Sequence, residues 1–146
     1  MREKTVSLVK LHEGFNEKLY KCTEDKLTIG YGFNLEAIKM PEKVGAMWLE
    51  LILDDLEAQL KKHIIFYDVL SDARKTVLLD MAYNLGIAGL LQFKKMLLAM
   101  QQKKFTQAAD EMLASKWAQQ VKSRAYRLSE MMRRGEYDVR WRNWYD

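Results

Sequence analysis

The spacing of apolar positions changes period along the chain. Val6, Leu8, Val9 and Leu11 fit a short opening helix that ends near Gly14. The next stretch alternates like strand. Leu19-Tyr20-Lys21-Cys22 and Leu27-Thr28-Ile29-Gly30-Tyr31 flank the polar turn Thr23-Glu24-Asp25-Lys26, which predicts a hairpin. Gly30 and Gly32 punctuate its exit. Pro41 stands where a helix places its first residue, and Glu42 follows in the acidic first turn. Val44, Met47, Trp48, Leu51, Ile52, Leu56 and Leu60 then recur at three- and four-residue spacing, the mark of a long amphipathic helix.

Beyond that helix the pattern is helical throughout. Ser71 is a candidate cap for a helix carrying Arg74, Val77, Leu78, Met81 and Leu85, with Gly86 as terminator. Residues 93–102 form another helix, Thr106 caps a short one to about Ala114, and residues 123–134 make the last, ended by Gly135. Short connections between helices predict a bundle. The tail, from Val139 through Trp141 and Trp144 to Tyr145, is aromatic and basic. Such a tail either folds back over apolar seams or stacks on bases, and the first reading is favoured.

Length and charge narrow the function classes. A chain of 146 residues with 49% apolar and 30% charged positions can build its own core without a disulfide or metal staple. No apolar run approaches the length of a membrane span, so no membrane insertion is expected. The N-terminus has no sustained apolar stretch and reads as mature protein, made in the cytoplasm. The single cysteine, Cys22, excludes a disulfide framework. His12 and His63 are the only histidines and lack ligand spacing, so neither metal nor cofactor is expected. Residues 1–66 carry 10 Lys and Arg against 11 Asp and Glu, whereas residues 67–146 carry 14 against 9. The basic half suits a polyanionic partner or merely a soluble surface.

Three residues could carry chemistry. Glu13 ends an apolar helix directly before Gly14, where burial would keep a carboxyl protonated as a proton donor. Cys22 and Thr28 lie on the two strands of the hairpin. Each alone reads as packing, a small buried hydrophobe and a β-branched strand residue.

The whole run from His12 to Phe33 alters that reading. Glu13-Gly14, then Tyr20-Lys21-Cys22-Thr23, then Thr28-Ile29-Gly30-Tyr31-Gly32-Phe33 resembles the phage-type lysozymes, glycoside hydrolase family 24. That family reads Glu-Gly, Tyr-x-Asp-Thr and Thr-Ile-Gly-x-Gly-His. The likeness continues in order through Asp80-Met81-Ala82-Tyr83-Asn84-Leu85-Gly86, Ser115-Lys116-Trp117, Ser123-Arg124-Ala125-Tyr126-Arg127 and Gly135-Glu136-Tyr137-Asp138, and so covers nearly the full chain.

The resemblance implies an α+β, mostly helical fold with two lobes. It implies one lysozyme-like domain over residues 1–146: an N-terminal lobe at about 14–40, a linking helix at about 41–62, and a C-terminal helical lobe at about 67–146 that also takes in the helix of residues 1–13. It implies a muramidase that cuts the β-1,4 bond between N-acetylmuramic acid and N-acetylglucosamine in peptidoglycan. Glu13 would protonate the leaving oxygen, while Cys22 and Thr28 stand where the family's aspartate and threonine handle the attacking water with inversion. Asn84 and Arg124 match cleft-lining positions, and Arg124 could pair with Glu13. Gln119 and Gln120 could bond acetamido or peptide groups. A phage or prophage endolysin would act as a monomer on glycan strands at the cell wall, released by a holin.

The departures are specific. Cys22 replaces the aspartate, and a thiol carries no permanent charge at neutral pH. A thiolate could still serve, Thr28 could place the water by itself, or the site is crippled and the protein only binds glycan. Phe33 replaces the family's histidine, exchanging a charge for packing. The loop from Gly32 to Pro41 is short, which trims one wall of the N-terminal lobe. A small nucleic-acid binder is the remaining alternative and is disfavoured, since no reading motif is present.

Overall fold

The computed structural model describes residues 1–138, so the aromatic tail from Val139 onward lies outside the described residues. The fold is α+β and mostly helical. Its contacts divide it into two units, Met1–Met47 and the chain from Trp48 onward.

The first unit opens with α1 (Arg2–Glu13), which ends at Gly14 as its spacing predicts. The hairpin follows as β1 (Asn16–Lys21) and β2 (Leu27–Gly30), paired antiparallel with Tyr20 opposite Thr28 and Lys21 opposite Leu27. The register shifts between Asn16 and Tyr20, so the strand bulges toward its start. The polar turn closes through Cys22 N–H to the Lys26 carbonyl and Asp25 N–H to the Cys22 carbonyl, each at 2.9 Å. Asp25 takes φ 63°, a left-handed conformation that a short polar side chain tolerates. A third strand, β3 (Phe33–Asn34), pairs with β2 and gives the sheet order β1-β2-β3. The start of β2 is braced by the Glu36 carboxylate, which accepts the Leu27 N–H at 2.9 Å. Thr28 and Gly30 are the buried residues of this unit.

Helix α2 (Glu42–His63) starts one residue later than predicted. Pro41 stands just before it and offers its carbonyl to Gly45 N–H at 3.1 Å, the role of a capping residue. Within the second unit, Tyr67, in a short 3-10 turn (Tyr67–Val69), is nearly fully buried and donates its hydroxyl to Glu57 at 2.6 Å. Burial first, and the Glu57 carboxylate second, hold its phenol well above the ordinary tyrosine range.

The bundle comprises α3 (Asp72–Leu91), α4 (Lys94–Gln101), α5 (Phe105–Leu113), α6 (Lys116–Val121) and α7 (Ser123–Arg134). Ser71 caps α3 by accepting the Arg74 N–H at 3.3 Å. Gly86, with φ 75° and ψ 162°, ends the first helical segment as expected, and a second segment continues beyond this kink to Leu91. Thr106 does not cap α5. The turn before it is closed by backbone bonds, Lys103 N–H to Met100 and Lys104 N–H to Ala99, so the helix enters at Phe105 without a side-chain cap.

The core lies in this unit. Leu60, Val77, Leu78, Met81, Leu90, Met96, Met100, Met112 and Met132 are all but inaccessible. Six of the nine methionines are buried here, and their unbranched thioethers fill gaps between short helices. Ala108 and Ala109 let α5 approach closely, and the Arg74 guanidinium lies 3.4 Å over the Phe105 ring. From there Arg74 donates to the Met132 and Arg133 carbonyls at 2.8 and 3.0 Å, which satisfies two open acceptors at the end of α7.

Candidate active site

Each sequence-predicted acid or thiol in the first unit is held by a backbone feature. Glu13 is the last residue of α1 and is exposed, not buried as its apolar helix suggested. What it touches is Gly32. A Cβ built on Gly32 would lie 2.4 Å from Glu13 Oε2 and 2.9 Å from its Cδ, and Gly32 has φ 71°. Only glycine meets both conditions, the left-handed backbone and the space for the carboxylate. The turn carrying Gly32 is fixed by an aromatic cluster. The Tyr31 ring lies 5.1 Å from Phe15 and 6.4 Å from Phe33, with Lys10 Nζ 5.3 Å from its centre. Phe33 also folds over Gly30, where a Cβ would meet its ring at 2.8 Å. Packing thus takes the place of the charge that a histidine would bring.

Cys22 follows β1 and is half-buried. The backbone amides of Lys26 and then Glu24 hold the thiol below its ordinary pKa. Desolvation works against them, the Thr28 hydroxyl adds to them, and the Glu24 carboxylate opposes. The first two causes come from the turn itself, so the hairpin lowers the thiol pKa without a basic side chain. Thr28 is 2% exposed and donates its one hydroxyl proton to the Lys26 carbonyl at 2.8 Å. Its lone pairs remain as acceptors. Cys22 and Thr28 are therefore brought together, and Cys22 is the more accessible of the two.

In the second unit, Asn84 sits on α3, where its side-chain carbonyl accepts the Trp117 indole N–H at 2.7 Å. Trp117 is buried, edge-on to Phe93 at 5.9 Å. The partner of Arg124 is Asp80. Arg124 Nε and Nη2 each reach Asp80 Oδ1 at 2.8 Å. Sequence reasoning passed over Asp80, because a pair 44 residues apart leaves no spacing signal. Gln119 and Gln120 are exposed on α6.

Among the described residues no group of three His, Cys, Asp or Glu side chains could hold a metal ion. The chemistry offered is that of a carboxyl acid, a thiol of lowered pKa and a hydroxyl.

The chain is 27% identical to probable T4-type lysozyme 1 of Dictyostelium discoideum, with 88% of this chain and 92% of that protein covered. Probable T4-type lysozyme 2 of the same organism matches with the same identity and coverage. The model of the phage lysozyme family matches residues 10–136, a span that includes Glu13, the hairpin and Arg124, and the chain belongs to that family.

Proposed function

We propose that this protein is a muramidase that hydrolyses the β-1,4 bond between N-acetylmuramic acid and N-acetylglucosamine, with Glu13 as general acid and no cofactor. The observation that carries the reading is the seat of the Glu13 carboxylate against Gly32, at the end of α1 and in the Glu13-Gly14 step that matches the family's Glu-Gly. A carboxyl so placed can protonate the departing glycosidic oxygen. The reaction passes through a state of oxocarbenium character, so the opposite face needs a base or a negative charge to deliver water. Cys22 supplies it as thiolate, and Thr28, whose proton is given to the Lys26 carbonyl, takes part only as an acceptor for the water. Asn84, Gln119, Gln120 and Arg124 serve the glycan and its peptide.

In this reading the protein is a phage or prophage endolysin, released by a holin and acting as a monomer on the cell wall. The basic composition of residues 67–146 suits a polymer bearing peptide carboxylates. Whether the thiol still supports turnover is what divides a working enzyme from a glycan-binding relic. The test is digestion of purified peptidoglycan by wild type, Glu13→Gln and Cys22→Asp, with muropeptides read by mass spectrometry. New reducing N-acetylmuramic acid ends in wild type, lost in Glu13→Gln, are the expected result. No cleavage by wild type but cleavage by Cys22→Asp would identify a binding module on an intact scaffold.

A further inference from the structure

The Asp80–Arg124 pair is placed to select among substrate groups. Both Nε and Nη2 of Arg124 are committed to one oxygen, Asp80 Oδ1, and Nη2 also lies 3.4 Å from the Asp80 carbonyl. Among the described residues, Arg124 Nη1 and Asp80 Oδ2 make no hydrogen bond. The two side chains are 34% and 38% exposed, so a ligand can reach both. An isolated guanidinium would favour a carboxylate, which it can grip with two parallel bonds. Here the fork is already occupied by a carboxylate of the protein, and the pair is neutral as a unit. What it leaves open is the Nη1 amino group as donor and Oδ2 as acceptor. A primary amide offers both matching functions on one side, a carbonyl that accepts from a guanidinium N–H and a syn N–H that donates to a carboxylate oxygen.

We propose that Asp80 and Arg124 form an amide-recognising subsite that takes a neutral amide of the peptidoglycan stem peptide in preference to a free carboxylate. The assignment rests on the muramidase reading for its substrate class. A carboxylate ligand would have to displace Asp80 from the guanidinium or sit beside its negative charge, and like charges at that range repel. An amide meets neither obstacle.

The probes are two soluble fragments, muramyl-L-alanyl-D-isoglutamine and its free-acid counterpart carrying D-glutamate. Binding is followed by NMR through the Arg124 Nε–H signal, in wild type and in Asp80→Asn. Wild type is expected to bind the amide several-fold more tightly than the acid. Asp80→Asn keeps an acceptor for the guanidinium but frees its charge, and the preference should invert. Arg124→Gln, the second variant, should weaken both fragments and abolish the discrimination, which keeps the test decisive if Asp80→Asn does not fold. A wild-type preference for the acid, equal preference in wild type and Asp80→Asn, or no response to either fragment would overturn the subsite. Neither fragment is cleaved, so failed hydrolysis of whole peptidoglycan with a retained amide preference would remove the muramidase reading alone.

Discussion

At the scale of single residues, the exchange of aspartate for Cys22 makes the enzyme's charge depend on pH where an aspartate would not. The Lys26 and Glu24 amides stabilise the thiolate, so it forms at lower pH than an ordinary cysteine thiolate. If the thiolate is the active form, the sign is fixed: the rate rises as pH rises through the lowered thiol pKa and is lost below it. A pH–rate profile of wild type should show this rising limb, and Cys22→Asp should not, because its carboxylate is already ionised across that range. Cys22→Ser, with no ionisable group, should lose about 10²-fold or more in kcat. Full alkylation of Cys22 by iodoacetamide should silence the enzyme; an unchanged rate would leave Cys22 no part in turnover. Thr28 is a weaker candidate for the water than the family pattern alone suggests, because it is 2% exposed and its proton is spent on the Lys26 carbonyl. That burial is a property of the three-stranded sheet and no local pattern announces it.

At the scale of elements, the site depends on the end of α1 meeting the turn between β2 and β3. Gly32→Ala tests that junction. The new Cβ would collide with the Glu13 carboxylate at 2.4 Å and would sit on a backbone with φ 71°. We expect a stability loss of about 1–2 kcal/mol from the left-handed conformation. We also expect a fall of about 10²-fold in kcat, since misplacing a catalytic group by about 1 Å costs that much. Thermal unfolding and steady-state rates separate the two effects. A variant with lower stability but wild-type kcat would mean that the carboxylate need not rest on Gly32. The elements around this junction were legible to different degrees. The hairpin, the Ser71 cap and the end of α7 follow from turn residues, a hydroxyl at a helix start and a glycine after a basic turn. The strand β3 did not, because two residues cannot display alternation. Nor did α6, whose six residues fall short of two helical turns. The Thr106 cap failed because the preceding helix closes the turn with its own carbonyls. Of the candidate site, Glu13, Cys22 and Thr28 were singled out only through the resemblance to the phage-type lysozymes. The seat on Gly32 and the Asp80–Arg124 pair were not, since both are contacts between residues that the sequence keeps apart.

At the scale of the molecule, the chemistry and the core belong to different parts of the chain. The buried apolar residues run from Leu60 to Met132, all in the second unit, while in the first only Thr28 and Gly30 are buried. A three-stranded sheet with so little enclosed apolar area gains little hydrophobic stabilisation, at about 25 cal/mol for each Å² removed from water. The acid, the thiol and the hydroxyl thus lie on elements that should open by local fluctuation, while the bundle opens only when the whole core is lost. Native-state hydrogen exchange measures this directly. Amides of α3, α5 and α7 should exchange at the free energy of global unfolding and respond steeply to denaturant. Those of β1 and β2 should exchange at a much lower free energy, with a shallow denaturant dependence. Equal protection in the hairpin and the bundle would show that the hairpin is as stable as the core. The Thr28-containing strand is the sharpest reporter, because it pairs on both edges, with β1 and with β3. If Thr28 N–H exchanges with the hairpin class despite that pairing, low local stability reaches the proposed catalytic residues themselves. The loss of activity with temperature should then precede the loss of helical signal, and activity and circular dichroism followed on one sample would show the two midpoints apart.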